Sequence, residues 1–190
     1  METAENKEEL RQQLLAQREA ISEPEFYGAS ATIIEKLKEQ KEYQQAQTIH
    51  CYVSINKRRE VETKALIWEM IQKGREVVVP VTNMDDGTLT HIRLQSFDDL
   101  EENKWGVLEP ATGVEVSPQE LELVIVPMVG ADRNCNRIGY GKGFYDRFLE
   151  ELNCPTVGLI FDRNVVESIP TESFDVPLEK IITEKRILKK

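Results

Sequence analysis

The chain has 190 residues, and 24 Lys and Arg against 34 Asp and Glu give it a formal net charge of −10. That balance argues against nucleic acid as the main partner, because phosphate backbones call for a basic face. Apolar runs are only strand-length, far short of the roughly 20 residues of a membrane helix, and the charged segment Met1–Arg11 has no apolar signal-peptide core.

Cys51, Cys135 and Cys154 form no CxxC pair and are odd in number, so they read as reduced thiols in a cytoplasmic protein. The expectation is one domain spanning residues 1–190, a monomer with no nucleic-acid or membrane partner. A chain of this size buries roughly 70% of its unfolded surface and needs no covalent staples.

Asn6 to Ala20 has apolar residues at helical spacing (Leu10, Leu14, Leu15), followed by Ile21. Ser22-Glu23-Pro24-Glu25 has the spacing of a capping box and predicts a second helix, with Phe26, Ile33, Ile34 and Leu37 on its apolar face. Thr48–Ser54 alternates like a half-buried strand, and Thr63–Lys73 returns to helical spacing. Val77–Val81 reads as a buried strand ending near Pro80. Asp85-Asp86-Gly87 signals a turn into an edge strand over Thr88–Leu94. Leu121–Met128, Thr156–Phe161 and Lys180–Glu184 read as strands, with a helix over Phe144–Leu152. Strands alternating with helices predict a single three-layer α/β/α domain with a mostly parallel, mixed sheet.

The segment Arg137–Arg147, Arg-Ile-Gly-Tyr-Gly-Lys-Gly-Phe-Tyr-Asp-Arg, lies between a predicted strand and a predicted helix. α/β proteins bind ligands there, beyond the carboxyl end of a strand. Gly139, Gly141 and Gly143 let a backbone come close to a ligand, and free N–H groups at such a loop cradle phosphate. Arg133, Arg137, Lys142 and Arg147 against Asp132 and Asp146 predict local positive charge and an anionic ligand. The loop is neither G-x-G-x-x-G nor a Walker loop. On spacing alone, a solvated glycine-rich connection remains open. Lys7 and Arg11 share a helix face at i, i+4, which is equally the pattern of a solvated face.

Arg137–Arg147 resembles the R-[LI]-G-x-G-x-G-[FY]-[YF]-D-x signature of the 5-formyltetrahydrofolate cyclo-ligase family. Lys7-x-x-Leu10-Arg11, Ser22-x-x-Glu25, Glu60-Val61-x-Thr63, Glu109-Pro110, Leu123–Pro127 and Ile169-Pro170 to Asp175 follow in that family's order. The resemblance implies an architecture similar to the sugar-phosphate isomerase and CoA-transferase-like folds. It also implies an ATP- and Mg²⁺-dependent ligase that closes 5-formyltetrahydrofolate to 5,10-methenyltetrahydrofolate.

In that resemblance Lys7, Arg11 and the loop Arg137, Ile138, Gly139, Tyr140, Gly141, Lys142, Gly143, Phe144 and Tyr145 bind ATP. Val53, Glu60 and Tyr140 to Phe144 bind the folate, and Asp146 and Asp175 hold magnesium. No side chain is assigned as a catalytic acid or base, because the substrates supply both nucleophiles. On pattern alone His50, His91 and Val53 are strand residues, Asp175 a surface turn residue, and Trp105 either a core or a ligand-facing ring.

Three departures are visible. The Ser54–Glu60 segment is about two residues longer than usual in the resemblance, which leaves the register of Glu60 open. Met128 and Ala131 stand where Gly and Phe are usual, with the expectation of an altered pocket wall. Lys57-Arg58-Arg59, within the longer segment, is expected to meet an acidic folate tail or else solvent. Two other classes stay open: an isomerase or transferase of related architecture, and a non-catalytic folate- or nucleotide-binding protein.

Overall fold

The computed structural model describes residues 2–190, with side chains from residue 6 onward. Its helices are α1 (Glu2–Glu19), α2 (Glu23–Lys38), α3 (Lys41–Gln45), α4 (Lys64–Gln72) and α5 (Phe144–Glu150). Its strands are β1 (Thr48–Cys51), β2 (Glu76–Asn83), β3 (Thr88–Leu94), β4 (Leu100–Glu102), β5 (Leu108–Pro110), β6 (Leu123–Val126), β7 (Gly130–Asp132), β8 (Arg137–Ile138), β9 (Thr156–Leu159), β10 (Val165–Val166), β11 (Lys180–Ile182) and β12 (Ile187–Lys189).

Seven strands form the main sheet in the order β12-β11-β9-β6-β1-β2-β3. The inner five run parallel, and β3 and β12 close the two edges antiparallel. The expected mostly parallel mixed sheet is therefore present. One face carries α2, α3 and α4, whose Phe26, Ile33, Leu37, Leu66 and Ile67 pack against Ile49, Val77, Val79 and Ile125. Each such fully buried side chain contributes about 1.5–3 kcal/mol. The other face carries the short α5, with Phe148 and Leu149 against Val78, Val124 and Ile181. Helix α1 lies apart, its Leu14 packed with Val129, Ile138 and Ile169.

Local chemistry explains the element ends. The Ser22 hydroxyl accepts the Glu25 N–H at 3.4 Å, while the Glu25 carboxylate pairs with Arg163 at 2.5 Å. The expected capping box is thus half formed, because Glu25 has a tertiary partner. The β2 strand runs through Pro80 to Asn83 instead of ending there. Its pairing with β1 covers only Glu76–Val78, so the proline's missing N–H lies past the end of one neighbouring strand. Two small ribbons, β4–β5 and β10-β7-β8, have strands of two or three residues and escaped the sequence pattern.

The alternation in β1 also misled. Ile49, His50 and Cys51 are all buried, because β1 is central and covered on both faces. His50 is tolerated there by meeting His91 of β3, with ring nitrogens 3.2 Å apart and Phe148 against both rings. Burial pulls His91 down to about 4, and burial together with His91 holds His50 well below its ordinary 6.5. Neutral in the fold, both imidazoles regain ordinary affinity for protons on unfolding. The unfolded chain then binds more protons between about pH 6.5 and 4, so stability is full above 6.5 and falls as pH drops through that window. Urea midpoints measured from pH 7 to 4.5 are expected to fall less steeply in a His50→Gln/His91→Gln variant. Parallel pH curves would assign the acid loss to other groups.

Candidate active site

The sheet order reverses beside β1, with β2 on one side and β6 on the other. A crevice opens at the carboxyl ends of strands at such a switch point. Here it is a cleft of about 610 Å³. The residues following β1 (Tyr52, Val53, Ile55) and β6 (Pro127) form its floor, and Trp105, Val107, Leu108 and Glu109 of the β4–β5 ribbon form one wall.

The β7–β8 hairpin delivers the glycine loop to this cleft. Its anchor is Asp132, fully buried, which accepts the N–H groups of Asn134 and Asn136 at 2.9 and 3.0 Å and that of Ile169 at 3.1 Å. One carboxylate thus ties the hairpin to the segment leading to Asp175. Gly141 and Gly143 have φ of 85° and 71°, where side chains are strained. A Cβ at Gly141 would lie 3.1 Å from the Arg11 guanidinium carbon, and one at Gly143 would lie 2.6 Å from an Arg147 nitrogen. Those arginine ends can shift, so it is the left-handed backbone that calls for glycine at both positions.

Most of the expected residues meet in the one cleft: Lys7, Arg11, Val53, Glu60, Arg137, Gly139, Tyr140, Gly141, Lys142, Gly143, Phe144, Tyr145, Asp146 and Asp175. Ile138 is the exception. Its side chain is fully buried beneath the loop against Leu14, Val129 and Ile169, so only its backbone is near the site. Lys142 is exposed, while Arg137 is buried and paired with Asp146 at 2.7 Å. Burial pulls the Arg137 guanidinium down, and the Asp146 carboxylate pulls it back up. Lys7 pairs with Asp175 at 2.5 Å and Glu172 at 3.6 Å. Arg11 donates to the Gly139 carbonyl at 2.9 Å and pairs with Glu8.

The charge pattern differs from the expected local excess. Arg133 pairs with Glu167 on the surface, outside the cleft lining, and Arg147 folds back on the Lys142 carbonyl. The cleft is lined by five basic side chains (Lys7, Arg11, Arg58, Arg137, Lys142) and five acidic ones (Glu60, Glu109, Asp146, Glu172, Asp175). The cleft is thus formally balanced in a chain at −10, and α1 supplies two of the five cations.

The lengthened segment before Glu60 folds back on itself. Ser54 and Thr63 tie its ends through reciprocal bonds between backbone N–H and hydroxyl, at 3.1 and 3.2 Å. Asn56–Arg58 makes one 3-10 turn, and Arg59 takes a left-handed φ of 51°. The extra residues are absorbed there, and the Glu60 carboxylate points into the cleft while accepting the Ile55 N–H at 2.7 Å. The basic run splits: Arg58 lies over the Tyr140 ring in the cleft, and Arg59 over Phe26 outside it. Met128 and Ala131 are buried in the core beside α5 and do not themselves line the cleft.

Sequence reasoning missed Tyr52, Glu109 and Phe174 on the cleft wall and left Trp105 open. Trp105 is 43% exposed at the cleft, a ligand-facing position and not a core one. His50 and His91 lie off the cleft, as strand residues. All three cysteines are free. No helix among the described residues is long and apolar enough to cross a membrane.

The glycine loop and the Lys7/Arg11 face of α1 converge at the switch point of this α/β sheet, the arrangement of an enzyme for small-molecule substrates. The model of the 5-formyltetrahydrofolate cyclo-ligase family matches residues 3–184, and this chain belongs to that family. It is 35% identical over 147 residues to the 5-formyltetrahydrofolate cyclo-ligase of Haemophilus influenzae, covering 74% of this chain and 78% of that one. It is 26% identical to the Mus musculus enzyme of the same name, with 92% of each chain covered. The NMR structure of Aquifex aeolicus 5,10-methenyltetrahydrofolate synthetase superposes with a TM-score of 0.85 at 30% identity, covering 96% of this chain and 92% of that one.

Proposed function

We propose that the chain catalyses the ATP- and magnesium-dependent cyclisation of 5-formyltetrahydrofolate to 5,10-methenyltetrahydrofolate, releasing ADP and phosphate. The observation that carries this reading is the meeting of Lys7, Arg11, the glycine loop and Glu60 in one cleft. The formyl group on N5 is an amide, so its oxygen is a poor leaving group. Attack of that oxygen on the γ-phosphorus of ATP forms a P–O bond and expels ADP. N10 then adds to the activated carbon and loses its proton, and the C–O bond breaks with its electrons leaving on phosphate. Two substrates held in register need little covalent help from the protein, as in phosphoryl transfer generally.

Lys7, Arg11, Arg137 and Lys142 neutralise the triphosphate, and the N–H groups between Gly139 and Tyr145 approach its oxygens. Glu60 accepts hydrogen bonds from the pterin N–H groups, with Val53 and Trp105 against the ring. Asp146 and Asp175 are hard oxygen donors facing the cleft, a set that fits magnesium held by one or two carboxylates together with substrate phosphates. When bound, the ion supplies charge neutralisation at the phosphates.

The test is to incubate the protein with 5-formyltetrahydrofolate, with and without ATP and Mg²⁺. One ADP and one phosphate are expected per methenyltetrahydrofolate formed. Product without nucleotide consumption would reject the mechanism, and binding without turnover would make the chain a sensor.

A further inference from the structure

Helix α1 carries a third basic residue toward the cleft. Positions 7, 11, 14 and 18 follow one another at spacings of four, three and four, so they share one helix face. On that face Lys7 and Arg11 line the cleft and Leu14 packs into the core. Arg18 is only 1% exposed. A buried guanidinium needs partners for its charge and its N–H groups. Arg18 donates from Nη1 to the Met128 carbonyl at 2.9 Å and from Nη2 to the Tyr140 hydroxyl at 2.7 Å.

The second bond has a directional consequence. A phenol has one proton and accepts only through its oxygen lone pairs. With Arg18 donating into that oxygen, the proton of Tyr140 is directed to its other partner, Oε1 of Glu60. Burial, reinforced by Glu60, raises the Tyr140 hydroxyl above its ordinary range, so it keeps the proton it donates. Oε2 of Glu60 meanwhile accepts the Ile55 N–H. Both oxygens of this carboxylate, itself 5% exposed, are pinned, each with acceptor capacity left for a ligand in the cleft.

We propose that Arg18 is a positioning residue for the folate half of the site, acting through Tyr140 to fix the orientation of the Glu60 carboxylate. This rests on the proposed function, in which Glu60 receives the pterin. Helix α1 then serves both substrates: Lys7 and Arg11 at the phosphates, Arg18 two turns further along at the pterin. The link depends on a tyrosine at the one position, 140, that the glycine-loop signature leaves open between its first two glycines.

The decisive variant is Tyr140→Phe, which keeps the ring under Arg58 and removes only the hydroxyl. It is expected to raise the KM for 5-formyltetrahydrofolate roughly 5- to 30-fold, less than the roughly 10- to 150-fold of a directly lost hydrogen bond to a charged group, because Glu60 keeps its bond from the Ile55 N–H. The KM for ATP should stay within about twofold, because position 140 meets the phosphates through a backbone N–H that Phe keeps and Lys7 and Arg11 are untouched, and general loosening of the fold would not separate the two constants. Arg18→Met should raise the same constant, and the double variant should be no worse than the more impaired single one, because both act through one chain of bonds. If Arg18→Met does not fold, Tyr140→Phe still decides. Wild-type KM values in Tyr140→Phe, or a full effect of Arg18→Met on top of it, would overturn the positioning role. An inactive wild-type chain would overturn the proposed function itself, and the positioning role with it.

Discussion

Replacing Arg137 by Ala is expected to cost both stability and activity, whereas replacing Lys142 by Ala costs activity alone. The Arg137 side chain is 4% exposed and paired with Asp146, itself 18% exposed. Removing one member of a buried pair leaves an uncompensated charge and costs about 3–5 kcal/mol. For a chain of this length that is a fall in melting temperature of roughly 6–20 °C. Lys142 is exposed and makes no ion pair among the described residues, so its removal should leave the melting temperature in place. In the proposed ATP-binding role, each substitution would also remove a charge-assisted contact to phosphate of about 1.5–3 kcal/mol, a loss of roughly 10- to 150-fold in kcat/KM for ATP. Thermal melts and steady-state kinetics on the two variants separate the two roles. Near-normal turnover in both would reduce the loop to a connection between β8 and α5, and an unshifted melt for Arg137→Ala would show that the buried pair contributes nothing.

The split between those two residues marks how far the sequence was legible. Glycine spacing located the loop and strand–helix alternation located the sheet, because both are local signals. The exposure of Lys142 and the burial of Arg137, five residues apart, depend on the packing that encloses the Arg137–Asp146 pair, which no local pattern encodes. Arg18 is the clearest loss. A basic residue in the last turn of a helix is ordinary macrodipole chemistry, and its partner Tyr140 is 122 positions away. The local charge excess read from Arg133 and Arg147 failed because Glu167 claims Arg133 through a tertiary contact and Arg147 folds back on the Lys142 carbonyl five residues away. Glu60 reaches the cleft through a 3-10 turn and one left-handed arginine, a conformation that residue type does not announce.

Asp146→Asn and Asp175→Asn are each expected to raise the Mg²⁺ concentration needed for half-maximal turnover, with Asp146→Asn at least as severe. Magnesium keeps several waters and takes most of its remaining ligands from substrate phosphates, so the titration should shift and not vanish. Asparagine keeps an oxygen ligand and loses the charge, so the shift belongs at the lower end of charge-assisted contacts, roughly 10-fold. Asp175 has a neighbour that softens its loss: Glu172 lies 3.6 Å from the same Lys7. Both carboxylates also hold a basic side chain, Arg137 in one case and Lys7 in the other. The two roles separate at saturating Mg²⁺. If the carboxylates hold the metal, the KM for ATP recovers there to within a few fold of wild type. If they only hold Arg137 and Lys7 in place, the KM for ATP stays raised while the Mg²⁺ titration overlays that of the wild type, and the metal assignment is wrong.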